Sequence, residues 1–252
     1  MLTVQQVIDF INQLAPFDTQ LDYDNSGLLV GDPGREVTGV HFALDVTDTV
    51  IDEALGHSAN LIVTHHPLMF SPIRRLVETD HQARLLCRLI REHISLIAAH
   101  TNLDQAVGGC NDALARHIGL ADVAGEGFVR VGRLPAPMTA GELAASISNA
   151  LGDVVRVMGN PSAVVEKVGM CSGAGADEWP AAAALGAQAF LTGEAKHHIA
   201  LEAAAAGVVI LEAGHHATEI PGIFALADAL QNSDLAVQYK MRIFTSKASA
   251  YQ

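Results

Sequence analysis

Of the twelve histidines in this chain, six occur as adjacent pairs: His65-His66, His197-His198 and His215-His216. Two of the pairs follow apolar strand-like runs. NLIVTHHP, Asn60–Pro67, ends in His65, His66 and a proline, and the run Val208–Leu211 leads directly into GHHATE. A third run, Leu96–Ala99, ends in His100 and, four residues later, Asp104. Imidazole and carboxylate together, with no cysteine nearby, suit Zn, Mn, Fe, Co or Ni better than a structural thiolate zinc. Five or six such groups exceed the needs of one tetrahedral ion. A two-metal site with a carboxylate bridge and a bridging water accounts for them, and Glu219, four residues after His215, is the candidate bridge. Any one of these histidines alone could be an ordinary core or loop residue; three strand ends carrying the same chemistry point to one site.

His100 is a metal ligand, a hydrogen-bond partner of Asp104, or a proton carrier. His197 and His198, in LTGEAKHH beside Glu194, line a substrate pocket or lie on a helix surface. Ser172-Gly173-Ala174-Gly175 could cradle a phosphate through its backbone, or simply turn the chain. Asp24, Asn25 and Gly27 in the YDNSG turn are equally open.

Positioning these groups requires strands whose carboxyl ends meet. The continuous apolar runs read as buried parallel strands, with ligands collected at their C-terminal ends, at what should be one edge of a parallel sheet. Adjacent side chains on a strand point to opposite faces, so His65 and His66 share a site only if the backbone leaves strand geometry there, as Pro67 favours. Gly39–His66 reads as strand, helix and strand, with Thr47 capping the helix. Helical spacing also covers Val4–Leu14, His81–His93, Asn111–Ile118, Thr139–Leu151, Trp179–Leu185, His197–Ala206 and Ile220–Leu230. Further strands are expected at Leu28–Val30, Val154–Gly159, Val165–Gly173, Ala189–Glu194 and Leu235–Phe244. The texture changes from Gly125 to Pro137. The expected fold is therefore α/β, in two α/β halves with mixed or parallel sheets and the metal site between the halves: residues 1–124 with the HHP and HTNLD motifs, and 125–252 with GHHATE.

Composition limits the partners. The chain has 252 residues, 50% hydrophobic and 17% charged, which excludes disorder. A net charge of −13 argues against a general grip on nucleic acid. Cys87, Cys110 and Cys171 are scattered and read as reduced core thiols. MLTVQQVIDFINQL has no basic signal region, and no run approaches a membrane span, so a cytoplasmic protein with no membrane partner is expected.

DNSGLLVGD, ALDVT, DEAL, LIVTHHPLMF, HTNLD, GGCND, CSGAG, LTGEAKHH and GHHATE, in this order, resemble the Nif-three-like family, also known as GTP cyclohydrolase I type 2 homologues. The resemblance runs from about Tyr23 to about Ile223. It implies a Nif-three-like fold, two divalent metal ions per subunit, and a toroidal homohexamer. It also implies ligands at His65, His66, Asp104, His215 and Glu219. Relatives with an inserted domain between the halves exist; this chain lacks one. The implied activity is that of a metal-dependent hydrolase acting on a nucleotide or phosphate-containing small molecule. Under it His100 and His198 transfer protons, and Glu194, Ser172 and Gly173 contact substrate. The alternative is a metal-binding regulatory or scaffold protein acting through a hexameric ring.

Overall fold

The computed structural model describes residues 1–246 and Ala248. In chain order it contains α1 (Val4–Leu14), β1 (Gly27–Val30), β2 (Val40–Ala43), α2 (Asp48–Gly56), β3 (Leu61–Thr64), α3 (His81–Arg91), β4 (Ser95–Ala98), α4 (Thr101–Gln105) and α5 (Cys110–His117). There follow β5 (Ala121–Ala124), β6 (Arg130–Thr139), α6 (Ala140–Leu151), β7 (Arg156–Met158), β8 (Val164–Met170), α7 (Trp179–Ala184) and β9 (Ala189–Thr192). The chain continues through α8 (His197–Ala205), β10 (Val209–Glu212), α9 (His215–Gln231), α10 (Asp234–Tyr239) and β11 (Ile243–Thr245). The fold is mixed α/β, as expected.

Two compact units result. One comprises Met1–Ala106 and the described residues from Ile223 on; the other is Val107–Gly222. The expectation was a single break near residue 125. The chain instead returns to the first unit, because β11 adds to the edge of its sheet, pairing Phe244 with His41 in parallel register. The second passage lies inside α9.

The first unit is built on a five-stranded sheet of order β1-β4-β3-β2-β11. β4, β3, β2 and β11 are mutually parallel, and β1 is antiparallel to β4. The three central strands, VHFA, LIVT and SLIA, are buried at every position, which is why their sequences are continuous rather than alternating. α2 starts on Thr47, whose hydroxyl accepts from the Val50 N–H, and α3 starts on Asp80, which accepts from Gln82 and Ala83. Ile51, Leu85 and Leu89 from these helices pack with Ile62 and Leu96 of the strands. Each such side chain contributes roughly 1.5–3 kcal/mol on burial.

The second unit holds a six-stranded sheet, β5-β6-β8-β9-β10-β7, parallel across β8-β9-β10 and antiparallel elsewhere. Its faces separate by alternation. Ala189, Leu191, Val209 and Leu211 enter one core with Leu143 and Ile147 of α6, while Phe190 and Ile210 enter another with Val131 and Ala203. β10 thus belongs to a different sheet from β3 and β4, so the strand ends do not share one parallel-sheet edge as expected. An apolar run records burial and not which sheet receives it.

Two further expectations change. Leu235–Phe244 is not one strand: Ser233 accepts from the Ala236 N–H and starts α10, leaving only Ile243–Thr245 in the sheet. α9 begins at His215 rather than Ile220, with Pro221 inside it. Its first turn is secured by the Thr218 hydroxyl, 2.9 Å from the His215 carbonyl and 3.0 Å from that of Gly214. Among the described residues no helix is long and apolar enough to cross a membrane.

Candidate metal centre

In the first unit, three imidazoles gather where β3 and β4 end. β3 stops at Thr64; the His66 N–H donates to the Leu44 carbonyl at 3.0 Å, and the Thr64 hydroxyl to the His66 carbonyl at 2.9 Å. The backbone has left strand geometry, so His65 and His66 lie side by side with ring centroids 5.0 Å apart. On the neighbouring strand end, the Ala99 N–H donates to the Thr64 carbonyl at 2.9 Å, bringing His100 within 5.0 Å of His65 and 5.5 Å of His66 between centroids. One ring nitrogen from each of the three lies within 4.8 Å of the others, close enough to hold a metal ion. α4, whose Asp104 N–H donates to the His100 carbonyl at 3.0 Å, turns Asp104 back so that its Oδ1 is 3.5 Å from His65 Nε2.

Each of these rings is oriented through Nδ1. His65 Nδ1 lies 2.9 Å from the Ala99 carbonyl oxygen, His66 Nδ1 is 2.7 Å from Asp45 Oδ1, and His100 Nδ1 is 2.7 Å from Asp24 Oδ1. A carbonyl or carboxylate only accepts, so Nδ1 carries the hydrogen and Nε2 keeps the lone pair that a metal or a proton needs. The Asp24 side chain has 0% exposure. Burial opposes its ionisation, but hydrogen bonds from His100 and Thr101 outweigh that and hold its carboxyl well below the usual range. Its other oxygen accepts from the Thr101 N–H at 3.0 Å and from the Thr101 hydroxyl.

The second unit repeats the device. His215 Nδ1 lies 2.9 Å from Glu194 Oε1, and its Nε2 lies 3.1 Å from Oε2 of Glu219, one helical turn along α9. Glu219 is 4% exposed. The loop after β8 approaches it so closely that only glycine fits: a Cβ on Gly173 would stand 2.0 Å from Glu219 Oε1, and the residue has φ +60°. Gly193 is similarly pressed, its would-be Cβ 2.6 Å from the Gly173 carbonyl oxygen and 2.8 Å from His215 Cα. The CSGAG and LTGE motifs are thereby explained as close-packed supports for GHHATE.

Several sequence expectations acquire different roles. The Ser172 N–H donates to Asn111 Oδ1 at 2.8 Å and the Gly173 N–H to Thr218 Oγ1 at 3.0 Å, so these two donors are engaged within the protein. Glu194 orients His215. His197 and His198 are exposed on the first turn of α8. Asp24, left open in the YDNSG turn, orients His100, and Asp45, which the sequence reading does not name as a site residue, stands at the end of an apolar strand run, the same signal that marks the histidines. Cys110 and Cys171 are buried.

The family model for DUF34/NIF3 (NGG1p interacting factor 3) matches residues 2–250. The chain belongs to the DUF34/NIF3 family. This NIF3-family chain is 34% identical to a Streptomyces coelicolor protein named GTP cyclohydrolase 1 type 2 homolog, over 98% of this chain and 92% of that one. A Clostridium perfringens protein of the same name is 32% identical over 91% of this chain and 92% of its own. Among solved structures it is similar to Staphylococcus aureus protein SA1388, with TM-score 0.91 and 25% identity, covering 99% of this chain and 97% of that chain. Reduced HcgD from Methanocaldococcus jannaschii matches with TM-score 0.80 and 28% identity, covering 98% of both chains.

Proposed function

We propose that this NIF3-family chain is a dinuclear metal-dependent hydrolase of the cytoplasm, assembled as a homohexamer and acting on a nucleotide or other phosphate-bearing small molecule. The observation that carries the reading is the shared orientation of four imidazoles. His65, His66, His100 and His215 are each fixed through Nδ1 by an oxygen acceptor, which reserves Nε2, and carboxylates stand at Nε2 of His65 and His215. Under this reading His65, His66, Asp104, His215 and Glu219 would hold two divalent ions. The donor set is nitrogen and oxygen, which suits Zn, Mn, Fe, Co or Ni.

Bound divalent ions would supply Lewis-acid activation of water and neutralisation of charge developing on the substrate. The chain's own residues supply the rest. His100 takes a proton at Nε2 and releases it while its Nδ1–H stays on Asp24, which keeps the ring oriented through the transfer. Gly173 and Gly193 keep the backbone against Glu219 and His215 so that neither side chain swings away.

The test is metal content per chain, with Glu219→Gln alongside. About two ions in the wild type, falling in the variant, followed by release of formate or phosphate from GTP or phosphate esters, supports the reading. Two ions with no release from any of these substrates leaves a metal-binding regulatory or scaffold protein. Zero or one ion after reloading overturns the dinuclear assignment.

A further inference from the structure

Among the described residues only two Phe, Tyr or Trp side chains are exposed, Tyr23 at 64% and Phe70 at 49%. They touch each other, with ring centroids 6.1 Å apart at 64°, and Phe70 meets the His100 ring edge-on at 6.1 Å and 84°. Exposed Phe, Tyr and Trp rings are scarce among the described residues, so two of them in contact beside an imidazole cluster point to a ligand.

Both rings stand on backbone that is held in place. Tyr23 immediately precedes Asp24, the carboxylate that grips His100 and Thr101. On the other side, Leu68 packs against the core of the first unit, and its carbonyl accepts from the Gln82 side chain. The Asn25 amide donates to the Met69 carbonyl at 2.7 Å, which ties the two aromatic-bearing loops together. Tyr23 thus adjoins the residue that orients His100, and the Phe70 loop is tied to the same turn through Asn25.

We infer that Tyr23 and Phe70 form a stacking platform for a planar heteroaromatic ring, whose reacting end is delivered to His100 and the adjoining imidazoles. Flat rings gain from offset or edge contact with such side chains, whereas aliphatic or purely anionic ligands gain little. The inference rests on the proposed reaction at this centre and names its substrate class: a ring-bearing molecule, such as a nucleotide engaged through its base.

Calorimetric titration of the metal-loaded protein with GMP, UMP and ribose 5-phosphate separates the ring from the phosphate that all three share. In the wild type at least one nucleotide is expected to bind about tenfold or more tightly than ribose 5-phosphate. Tyr23→Ala and Phe70→Ala reduce that preference to within about twofold, with metal content and ribose 5-phosphate affinity retained, and Phe70→Trp preserves it. Both alanine sites are exposed, so folding is not at stake, and thermal unfolding checks this. Equal binding of all three ligands, absence of nucleotide binding, or a preference that survives both alanine variants overturns the platform. So does a change of oligomeric state in these variants with the preference unaltered, which would make the rings a contact between copies. Ring-dependent binding without turnover keeps the platform while the hydrolase reading falls; turnover without ring dependence does the reverse.

Discussion

His100 Nδ1 and Asp24 Oδ1 stand 2.7 Å apart, and the Asp24 side chain is closed off from solvent. One carboxylate serves the His100 ring, the Thr101 N–H and hydroxyl, the Asn25 N–H and the Ser26 hydroxyl, so removing it strands five donors. Asp24→Ala is expected to cost about 3 kcal/mol and Asp24→Asn about half that, read from urea unfolding. The same variants release the tautomer of His100: nitrogen-resolved NMR shows Nδ1–H in the wild type and a mixture in Asp24→Asn. An unchanged tautomer would remove Asp24 as the orienting group.

Asp45 is more exposed, its side chain at 32%, and its partner His66 belongs to the proposed ligand set. Asp45→Asn is expected to leave unfolding within about 0.5 kcal/mol of wild type. Metal affinity falls about ten- to a hundredfold, because the ring loses both its fixed tautomer and the basicity lent by a carboxylate. Competition with a chelating dye measures it.

Gly173→Ala tests the support behind Glu219. The added carbon would stand 2.0 Å from Glu219 Oε1 on a left-handed backbone, so the loop or the glutamate must move. A loss of about 2 kcal/mol is expected, together with a drop in bound metal. Normal metal content would show that the glutamate tolerates displacement.

Far from this centre, His41 on β2 is 0% exposed, with its Nε2 3.1 Å from Glu53 Oε2 on α2. His57, stacked on Phe244 of β11, faces it at 5.5 Å. Burial holds the His41 imidazole below its ordinary value, Glu53 offsets part of this, and His57 adds to the depression. The unfolded chain takes up this proton near pH 6.5 while the folded chain resists it. Stability from this residue is therefore complete above about pH 6.5 and is lost as pH falls through that value toward the depressed folded one. Melting temperature measured from pH 7.5 to 5.5 should decline, and His41→Leu should flatten the decline. An equal slope in both would assign the pH dependence to other groups.

Much of this was legible in the chain itself because it is encoded within a few residues. Continuous apolar runs marked β2, β3 and β4, Thr47 marked the start of α2, and histidines following those runs marked the imidazole cluster. Pro67 signalled the departure from strand geometry that lets His65 and His66 lie together. Where the local signal is ambiguous the reading fails: Leu235–Tyr239 alternates like a strand but is turned into helix by Ser233, and the helix expected from Ile220 starts five residues earlier, at His215.

What lay beyond reach was the partner of each lone residue distant in sequence. Asp24 meets His100 across 76 positions and Asp45 meets His66 across 21, and nothing in the spacing of a lone aspartate names its partner. The return of β11 to β2, and the assignment of β10 to a separate sheet from β3, are of the same kind. Residue type and local period determined which groups could ligate and which strands would be buried. Only the packed chain decided which oxygen holds each Nδ1, because that depends on long-range closure of the sheets rather than on any local preference.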